Sequence, residues 1–234
     1  MNFTKYINLT YRYITDTIGI THPKFIYVGM GDSTAEGMGA SHPDKSFSGI
    51  IFMAIKEYRK DSEYHNLGVQ EYRIRDVLEK QLEKGISLQP DLVTLSIGAN
   101  DLKRRTPMRQ FEQDLTTVLS RLKKETNALI VINTIPDISA SPLIPQNLKT
   151  ITNLLVRRFN RIISAQAKQQ GIELVDFYTQ SRIFARTYPK EIFSTDRFHP
   201  SDFGYALWAN TIITQIQDTI FKKRKFFNWE KRKI

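Results

Sequence analysis

The sequence predicts an α/β protein in which a mostly parallel sheet of five strands is covered by helices on both faces. Two observations lead to this three-layer α/β/α architecture. Short apolar runs that suit buried strands alternate along the chain with stretches whose apolar residues recur at helical spacing. Consecutive strands separated by a helix are joined by right-handed crossovers, which place the strands parallel in one sheet.

The five predicted strands are short and end close to glycine or polar residues. They are Phe25–Met30, Tyr64–Val69, Leu92–Ile97, Leu129–Ile135 and Ile172–Phe177. Leu129–Ile135 is the clearest of them, and Tyr64–Val69 is only a brief strand-like segment.

The predicted helices alternate with these strands. Gly171 gives a C-cap signal for the longest of them, and Ser201 or Asp202 is the expected N-cap of the last. The helices are Phe47–Arg59, Ile74–Leu82, Phe111–Leu122, Asn147–Gln170 and Ser201–Phe221.

Composition narrows the class of protein. The chain has 234 residues, 41% of them hydrophobic, so it can build a sizeable core. It has no cysteine, which excludes a disulfide scaffold, a thiolate zinc site and a cysteine nucleophile. No apolar run approaches the roughly 20 residues that cross a bilayer. We expect one domain over residues 1–221, with residues 1–24 as an N-terminal extension packed on it.

The N-terminus does not resemble an export signal. Residues 1–20 mix Asn, Thr, Tyr, Arg and Asp with apolar residues, whereas a signal peptide needs an uninterrupted apolar stretch of about 7–15 residues. The sequence therefore favours the cytoplasm, and it leaves open a leader that precedes the given residues.

Positive charge is concentrated at the C-terminus. The net charge is +10, from 34 basic and 24 acidic residues. Residues 222–234 hold seven Lys or Arg and one Glu, a net +6, interleaved with Phe226, Phe227 and Trp229. This basic tail suits a solvated helix end or an anionic membrane surface. Nucleic-acid phosphates are a third partner for it, and the least favoured one.

Residues suited to chemistry follow the predicted strands. Gly31-Asp32-Ser33 comes after the first, Asn66-Leu67-Gly68 after the second, and Gly98-Ala99-Asn100-Asp101 after the third. Asp196-Arg197-Phe198-His199-Pro200 precedes the last helix. The carboxyl ends of parallel strands meet at one edge of a sheet, where α/β proteins bind their ligands. The sequence therefore predicts one site built from these segments.

Three of these residues form a candidate catalytic set. A serine hydroxyl such as that of Ser33 needs a base to take its proton, and the His199 imidazole can accept and return a proton near neutral pH. Asp196, three residues earlier, can orient the imidazole through its other nitrogen. This pattern predicts a Ser-His-Asp triad.

Acyl transfer by such a triad passes through an oxyanion, which also needs hydrogen-bond donors. The candidates are the backbone N–H groups of Ser33 and Gly68 and the side-chain amide of Asn100. Asp32 and Asp101 are predicted to be structural, holding their loops through hydrogen bonds to nearby backbone N–H groups.

These segments together resemble the SGNH hydrolases, also called the GDSL esterase/lipase family, over Phe25–Trp208. The matching residues are Ser33, Gly68, Asn100 and His199, with Asp196 as the triad acid; Thr34 stands where the family name implies Leu. The resemblance implies a flavodoxin-like sheet and hydrolysis of esters or thioesters without metal or cofactor. The Gly-x-Ser-x-Gly elbow of α/β-hydrolases is absent, because Ala35 replaces its second glycine.

The substrate is less constrained than the reaction. The segment Pro136–Gln146 places Ile138, Leu143 and Ile144 where they either line an acyl pocket or pack within the loop. We expect a small to medium acyl chain, with a lysophospholipid or an acetylated carbohydrate as candidate substrates. The alternative is a non-catalytic protein that binds anionic membrane or nucleic acid through its tail. The sequence does not indicate an oligomeric state.

Overall fold

A five-stranded parallel sheet lies at the centre of the computed structural model, which describes residues 24–220. The strands are β1 (Phe25–Gly31), β2 (Ser62–Asn66), β3 (Leu92–Ser96), β4 (Leu129–Asn133) and β5 (Glu173–Val175). Their order in the sheet is β2-β1-β3-β4-β5, and all four neighbouring pairs are parallel. This confirms the predicted sheet.

Helices fill the connections between the strands. A π-helical segment spans Val77–Gln81, and 3₁₀ turns occur at Pro43–Lys45, Ile138–Ala140 and Gln146–Leu148. The α-helices of the described residues are α1 (Ser33–Glu36), α2 (Phe47–Tyr58), α3 (Ile74–Asp76), α4 (Leu82–Ser87), α5 (Ala99–Lys103), α6 (Met108–Glu125), α7 (Lys149–Gln170), α8 (Phe177–Thr187) and α9 (Asp202–Ile220).

Each face of the sheet packs against its own set of helices. Alternate residues of β1 point to opposite faces: Val28 and Met30 pack with α3, α4, α6 and α7, whereas Tyr27 packs with α2 and α9. Both faces are therefore hydrophobic, as a parallel sheet between two helical layers requires. This is the predicted three-layer α/β/α fold.

Some predicted boundaries are corrected by the structure. The second strand is Ser62–Asn66, earlier than the predicted Tyr64–Val69. It is an edge strand whose residues are only half buried, so it carries no apolar run that marks its start. It ends where the Asn66 side chain accepts a hydrogen bond from the Gly68 N–H (2.9 Å).

The helices differ from the predicted bounds at either end. The helical stretch predicted to end at Leu82 continues to Ser87, and the helix predicted as Phe111–Leu122 spans Met108–Glu125. The helix predicted from Asn147 begins at Lys149, after a 3₁₀ turn, and ends at Gly171 in the left-handed conformation as predicted. Helix α8 was not predicted; Asp176 caps it by accepting from the Thr179 N–H. At α9, Ser201 accepts from the Gly204 N–H, whereas the Asp202 carboxylate binds elsewhere.

Three predictions concern residues outside the described range. Residues 1–23 of the expected extension, the helix end at Phe221 and the basic tail at 222–234 are not described. Across residues 24–220, no helix combines the length and apolarity that a membrane span requires.

Candidate active site

Ser33 lies at the end of β1, where the chain turns sharply. Gly31 has φ +134°, and a Cβ atom there would collide with the carbonyl oxygen of Ser96 on β3, so this close approach requires glycine. Asp32 then caps α1, its Oδ1 accepting from the Thr34 N–H (3.0 Å) and hydroxyl (2.9 Å). Ser33 is thereby fixed as the first residue of α1, facing the cleft.

His199 and Asp196 are held in one loop before α9. An antiparallel bridge between Phe193 and Pro200 closes the loop, and the Ser194 N–H donates to the His199 carbonyl (2.8 Å). Asp196 Oδ1 accepts from the Ser194 hydroxyl (2.7 Å) and from the His199 N–H (2.9 Å). These hydrogen bonds fix the carboxylate independently of its contact with the imidazole.

These residues form one hydrogen-bonded series. His199 Nε2 lies 2.9 Å from Ser33 Oγ, and His199 Nδ1 lies 2.5 Å from Asp196 Oδ2. The Ser33 and His199 residues are 166 positions apart in sequence, and the fold brings them together at the carboxyl edge of the sheet. This geometry permits the serine proton to pass to the imidazole while the carboxylate orients the ring.

The electrostatics of the series favour an ionised Asp196. Burial acts to raise the pKa of this carboxyl, but hydrogen bonds from His199, Ser194 and backbone N–H groups outweigh it and hold the pKa well below its usual range. A carboxylate that stays charged can stabilise the imidazolium that forms when His199 takes a proton.

The serine and histidine segments are tied to each other by Asp202, the first residue of α9. Its carboxylate accepts from the Ser41 N–H and hydroxyl, both at 2.7 Å, and pairs with Lys45 Nζ at 2.8 Å. The hydrogen bond from Lys45, with those from Ser41, lowers the pKa of Asp202 to about 2. The loop after α1 is therefore anchored to the helix that follows His199.

Asn100 lies in the first turn of α5 and lines the same cleft as Ser33 and His199. Its Nδ2 donates to the Tyr72 carbonyl (3.1 Å), which fixes the orientation of the amide. An amide nitrogen carries two hydrogens, so one bond to Tyr72 leaves a second N–H for a ligand.

Gly68 is not brought into the cleft. Its N–H donates to Asn66 Oδ1 (2.9 Å), and it is not among the residues that line the cavity. A Cβ at this position would collide with the backbone N of Glu36, so glycine is needed here for packing against α1. The glycine at position 68 is therefore required for packing, and its N–H is already bonded to Asn66.

Glu71, which the sequence analysis did not select, lines the cleft instead. It has φ +62°, a left-handed conformation that is uncommon for a residue other than glycine. Within residues 67–72 every backbone N–H except that of Glu71 has a hydrogen-bond partner among residues 24–220. A glutamate gives no sequence signal for such a conformation, so this N–H is recognised only in three dimensions.

The two acidic neighbours of the site are buried, and their environments differ. Burial raises the pKa of Asp32 to about 6 despite its bonds with Thr34. Burial also raises the pKa of Asp101 to about 6, and its Oδ2 accepts from the Ile74 N–H (3.0 Å). Asp32 thus holds its own loop as predicted, whereas Asp101 binds a segment 27 residues away, which corrects the expectation of a nearby partner.

The cleft has a volume of about 630 Å³, which is typical of a site that encloses a ligand. Ile138, Leu143 and Ile144 line it, so the loop after β4 contributes to the cavity wall rather than only packing internally. Within residues 24–220, no group of three or more His, Asp or Glu side chains is arranged to hold a metal ion.

Comparison with known proteins identifies the family. Residues 30–207 match the model of the GDSL-like lipase/acylhydrolase family. The chain is 31% identical over 203 residues to the GDSL-like esterase Rv1075c of Mycobacterium tuberculosis, an alignment that covers 82% of this chain and 62% of that protein.

Solved structures share the fold. An acetylxylan esterase from Geobacillus stearothermophilus superposes with a TM-score of 0.65 at 20% identity, covering 82% of this chain and 93% of the other. An α/β hydrolase enzyme from the metagenome of Lake Arreo in Spain gives a TM-score of 0.67 at 18% identity, covering 82% and 94%. Because the family model matches most of this chain, the chain belongs to the GDSL-like lipase/acylhydrolase family.

Proposed function

We propose that this chain is a serine ester hydrolase in which Ser33 is the nucleophile, His199 the general base and Asp196 the residue that orients the base. The observation that carries the proposal is the continuous series from Ser33 Oγ through His199 to Asp196, with separations of 2.9 and 2.5 Å. A serine becomes a competent nucleophile only when such a base contacts its hydroxyl.

The reaction follows from this geometry. His199 Nε2 accepts the proton of Ser33 as Oγ attacks the ester carbonyl carbon. The tetrahedral intermediate collapses, the alkoxide leaves with the proton from His199, and an acyl group remains on Ser33. A water molecule then attacks the acyl carbon while His199 takes its proton. The second tetrahedral intermediate collapses, the bond to Ser33 Oγ breaks, and His199 returns the proton to Oγ, which releases the carboxylic acid and restores the serine.

The developing oxyanion needs donors that do not rotate away from it. The Ser33 N–H has no hydrogen-bond partner among residues 24–220, and Asn100 retains one amide N–H. In place of the predicted Gly68, the third donor in this proposal is the N–H of Glu71, which has no partner in the described part of the chain. Each such donor typically contributes about 3–4 kcal/mol to stabilising the transition state.

The substrates in this proposal are carboxylic esters, or thioesters, with small to medium acyl chains. A lysophospholipid and an acetylated carbohydrate both fit this class, and the second is the kind of substrate named for the solved acetylxylan esterase. The cleft beside Ser33 is large enough for a small or a medium-length acyl chain.

Hydrolysis of p-nitrophenyl acetate and p-nitrophenyl butyrate tests the proposal. The wild-type protein should hydrolyse both esters, and Ser33→Ala should lose the activity while it keeps the wild-type circular dichroism spectrum. A folded wild-type protein without activity on either ester, or a Ser33→Ala variant that is fully active, would contradict it.

A further inference from the structure

The cleft has two ends of different chemical character. The loop after β4 and helix α8 supply a hydrophobic wall on the β4–β5 side of Ser33, which we call the apolar arm. Its side chains come from Ile135, Ile138, Leu143, Ile144, Phe184 and Ala185.

Several polar groups near the apolar arm are engaged with the protein. Asn133 Nδ2 donates to Ser96 Oγ (3.2 Å), and the Ser141 hydroxyl donates to the Arg197 carbonyl (2.9 Å). Asp137 accepts from the Ser139 hydroxyl at 2.5 Å. The surface of the arm itself comes from the six apolar side chains, so this wall is suited to hydrocarbon.

The opposite end of the cleft is polar. It is bordered by Gln70, Glu71 and Lys103, which come from the loop after β2 and from α5, on the β2–β1–β3 side of the sheet. Glu71 pairs with Lys103 at 3.9 Å. An ester placed at Ser33 therefore meets hydrocarbon on one side and charged or polar groups on the other.

We propose that the apolar arm binds a medium-length acyl chain, so that the preferred substrates are amphiphilic esters with an octanoyl-like acyl group and a polar alcohol. This proposal rests on the esterase function proposed above. An acetyl group would fill only a small part of a cavity of about 630 Å³. Each further methylene that is buried in the apolar arm should raise kcat/KM roughly fourfold, because it is removed from water.

The test is a series of p-nitrophenyl esters from acetate through butyrate, hexanoate and octanoate to decanoate, measured below their critical micelle concentrations. The proposal predicts that kcat/KM rises from acetate to a maximum at hexanoate or octanoate. A maximum at acetate with a steady decline along the series would overturn it. Absence of hydrolysis of every ester would instead contradict the esterase function itself.

A variant pair locates the effect. Ala185→Phe places a ring into the apolar arm from α8, and the ratio of kcat/KM for octanoate over acetate should fall at least tenfold. Ile183→Phe introduces the same ring on the same helix at an exposed position outside the cavity, and the ratio should stay at the wild-type value. Equal ratios in the two variants would show that the acyl chain does not occupy this arm. If Ala185→Phe does not fold, the wild-type series still decides the proposal.

A separate observation concerns Gln81, whose side chain is almost fully buried. Its Oε1 accepts from the Gly31 N–H and its Nε2 donates to the Gly31 carbonyl, both at 2.9 Å. The Gln81 amide therefore bonds both the N–H and the carbonyl of Gly31, as the backbone of a neighbouring strand would. It does so beyond the end of β2. Gln81 is the last residue of the π-helical segment Val77–Gln81, an irregularity often found near functional sites.

We infer that Gln81 is a positioning residue for the nucleophile, because it fixes the peptide groups two residues before Ser33. Without it the buried Gly31 N–H loses its partner, and the turn that presents Ser33 to His199 is free to shift. A displacement of about 1 Å at a reacting group can lower the rate by up to about a hundredfold.

Gln81→Ala and Gln81→Glu test this inference by steady-state kinetics across pH. In Gln81→Ala, kcat should fall at least tenfold with KM within twofold of wild type. In Gln81→Glu, the protonated carboxyl can both donate to and accept from Gly31, so kcat relative to wild type should be restored as pH falls. Wild-type kcat in Gln81→Ala, or a Gln81→Glu variant below a tenth of wild-type kcat at every pH, would overturn it.

Discussion

At the scale of single residues, the triad and the oxyanion donors depend on which polar groups have no hydrogen-bond partner elsewhere in the folded chain. The Asp196–His199 pair is recognisable in the sequence because both residues belong to one short loop and their types fit a base and its orienting acid. The sequence predicted Gly68 as an oxyanion donor and offered no signal for Glu71. Which backbone N–H is free cannot be read from the sequence. It depends on which backbone N–H groups are taken by tertiary hydrogen bonds, such as the bond from Gly68 to Asn66.

Replacing Asn100 with Ala tests the oxyanion proposal. The variant should lower kcat for p-nitrophenyl butyrate by about 10²–10³ and change KM little, because the oxyanion forms only in the transition state. Asn153→Ala is a matched control: its amide bonds to Tyr178 away from the cleft, and kcat should not change. A raised KM with wild-type kcat would assign Asn100 to substrate binding instead.

Asp32 predicts a pH-dependent difference in stability. Its pKa is about 6 in the folded protein, above the ordinary value of 3.8 that applies when the chain unfolds. Ionisation is therefore harder in the folded state, and this cost develops as pH rises from about 4 to about 6 and persists above. Asp32→Asn removes the charge but keeps an oxygen that can accept from Thr34.

Urea unfolding checks this prediction. The Asp32→Asn variant should have a higher free energy of unfolding than wild type at pH 8, by on the order of 1–3 kcal/mol, and nearly the same value at pH 4. A variant less stable than wild type at pH 8, or equally stabilised at both pH values, would contradict the raised pKa.

At the scale of elements, the sheet explains why residues far apart in sequence meet. All five strands are parallel, so the loops after β1, β3 and β4 share one edge with the loop that carries His199. The buried strands could be predicted because apolar runs mark them. The edge strand β2 was misplaced because its half-buried residues give no such signal. Helix α8 was missed since it buries only Phe177 fully.

Gly39, in the loop after α1, lies against the loop that carries His199. It has φ +90°, and a Cβ would lie 2.6 Å from the Pro200 carbonyl and 3.0 Å from the His199 Cβ. Gly39→Ala should therefore lower both the free energy of unfolding, by about 1–3 kcal/mol, and kcat, because the histidine loop must move.

Gly171→Ala provides the matched control for Gly39→Ala. Gly171 is also left-handed, with φ +61°, but it ends α7 away from the cleft and its nearest neighbour is the flexible Lys123 side chain. This variant should lose about 1 kcal/mol of stability and keep wild-type kcat. Equal kcat in the two variants, measured well below their melting temperatures, would show that Gly39 does not affect His199.

At the scale of the whole molecule, the uneven charge is a property that the described fold does not explain. Residues 222–234 carry a net +6 of the total +10 and lie outside the described range. Composition predicts a role for this segment because basic and aromatic residues together favour anionic lipid surfaces. The role stays a prediction, since no feature of residues 24–220 depends on it.

Removing residues 222–234 tests that role. The truncated protein should bind vesicles containing phosphatidylserine more weakly than the full chain in a sedimentation assay, with the difference reduced at high salt. Its hydrolysis of p-nitrophenyl butyrate in solution should be unchanged. Equal vesicle binding before and after truncation would rule out the tail as a membrane contact.

The central claim is that the Ser33 hydroxyl is activated by His199, and covalent labelling with a fluorophosphonate tests it most directly. Peptide mapping by mass spectrometry should find one adduct in the wild-type protein, on Ser33, with labelling abolished in Ser33→Ala and strongly slowed in His199→Ala. A folded wild-type protein that gains no adduct, or one that is modified at a different residue, would contradict the account.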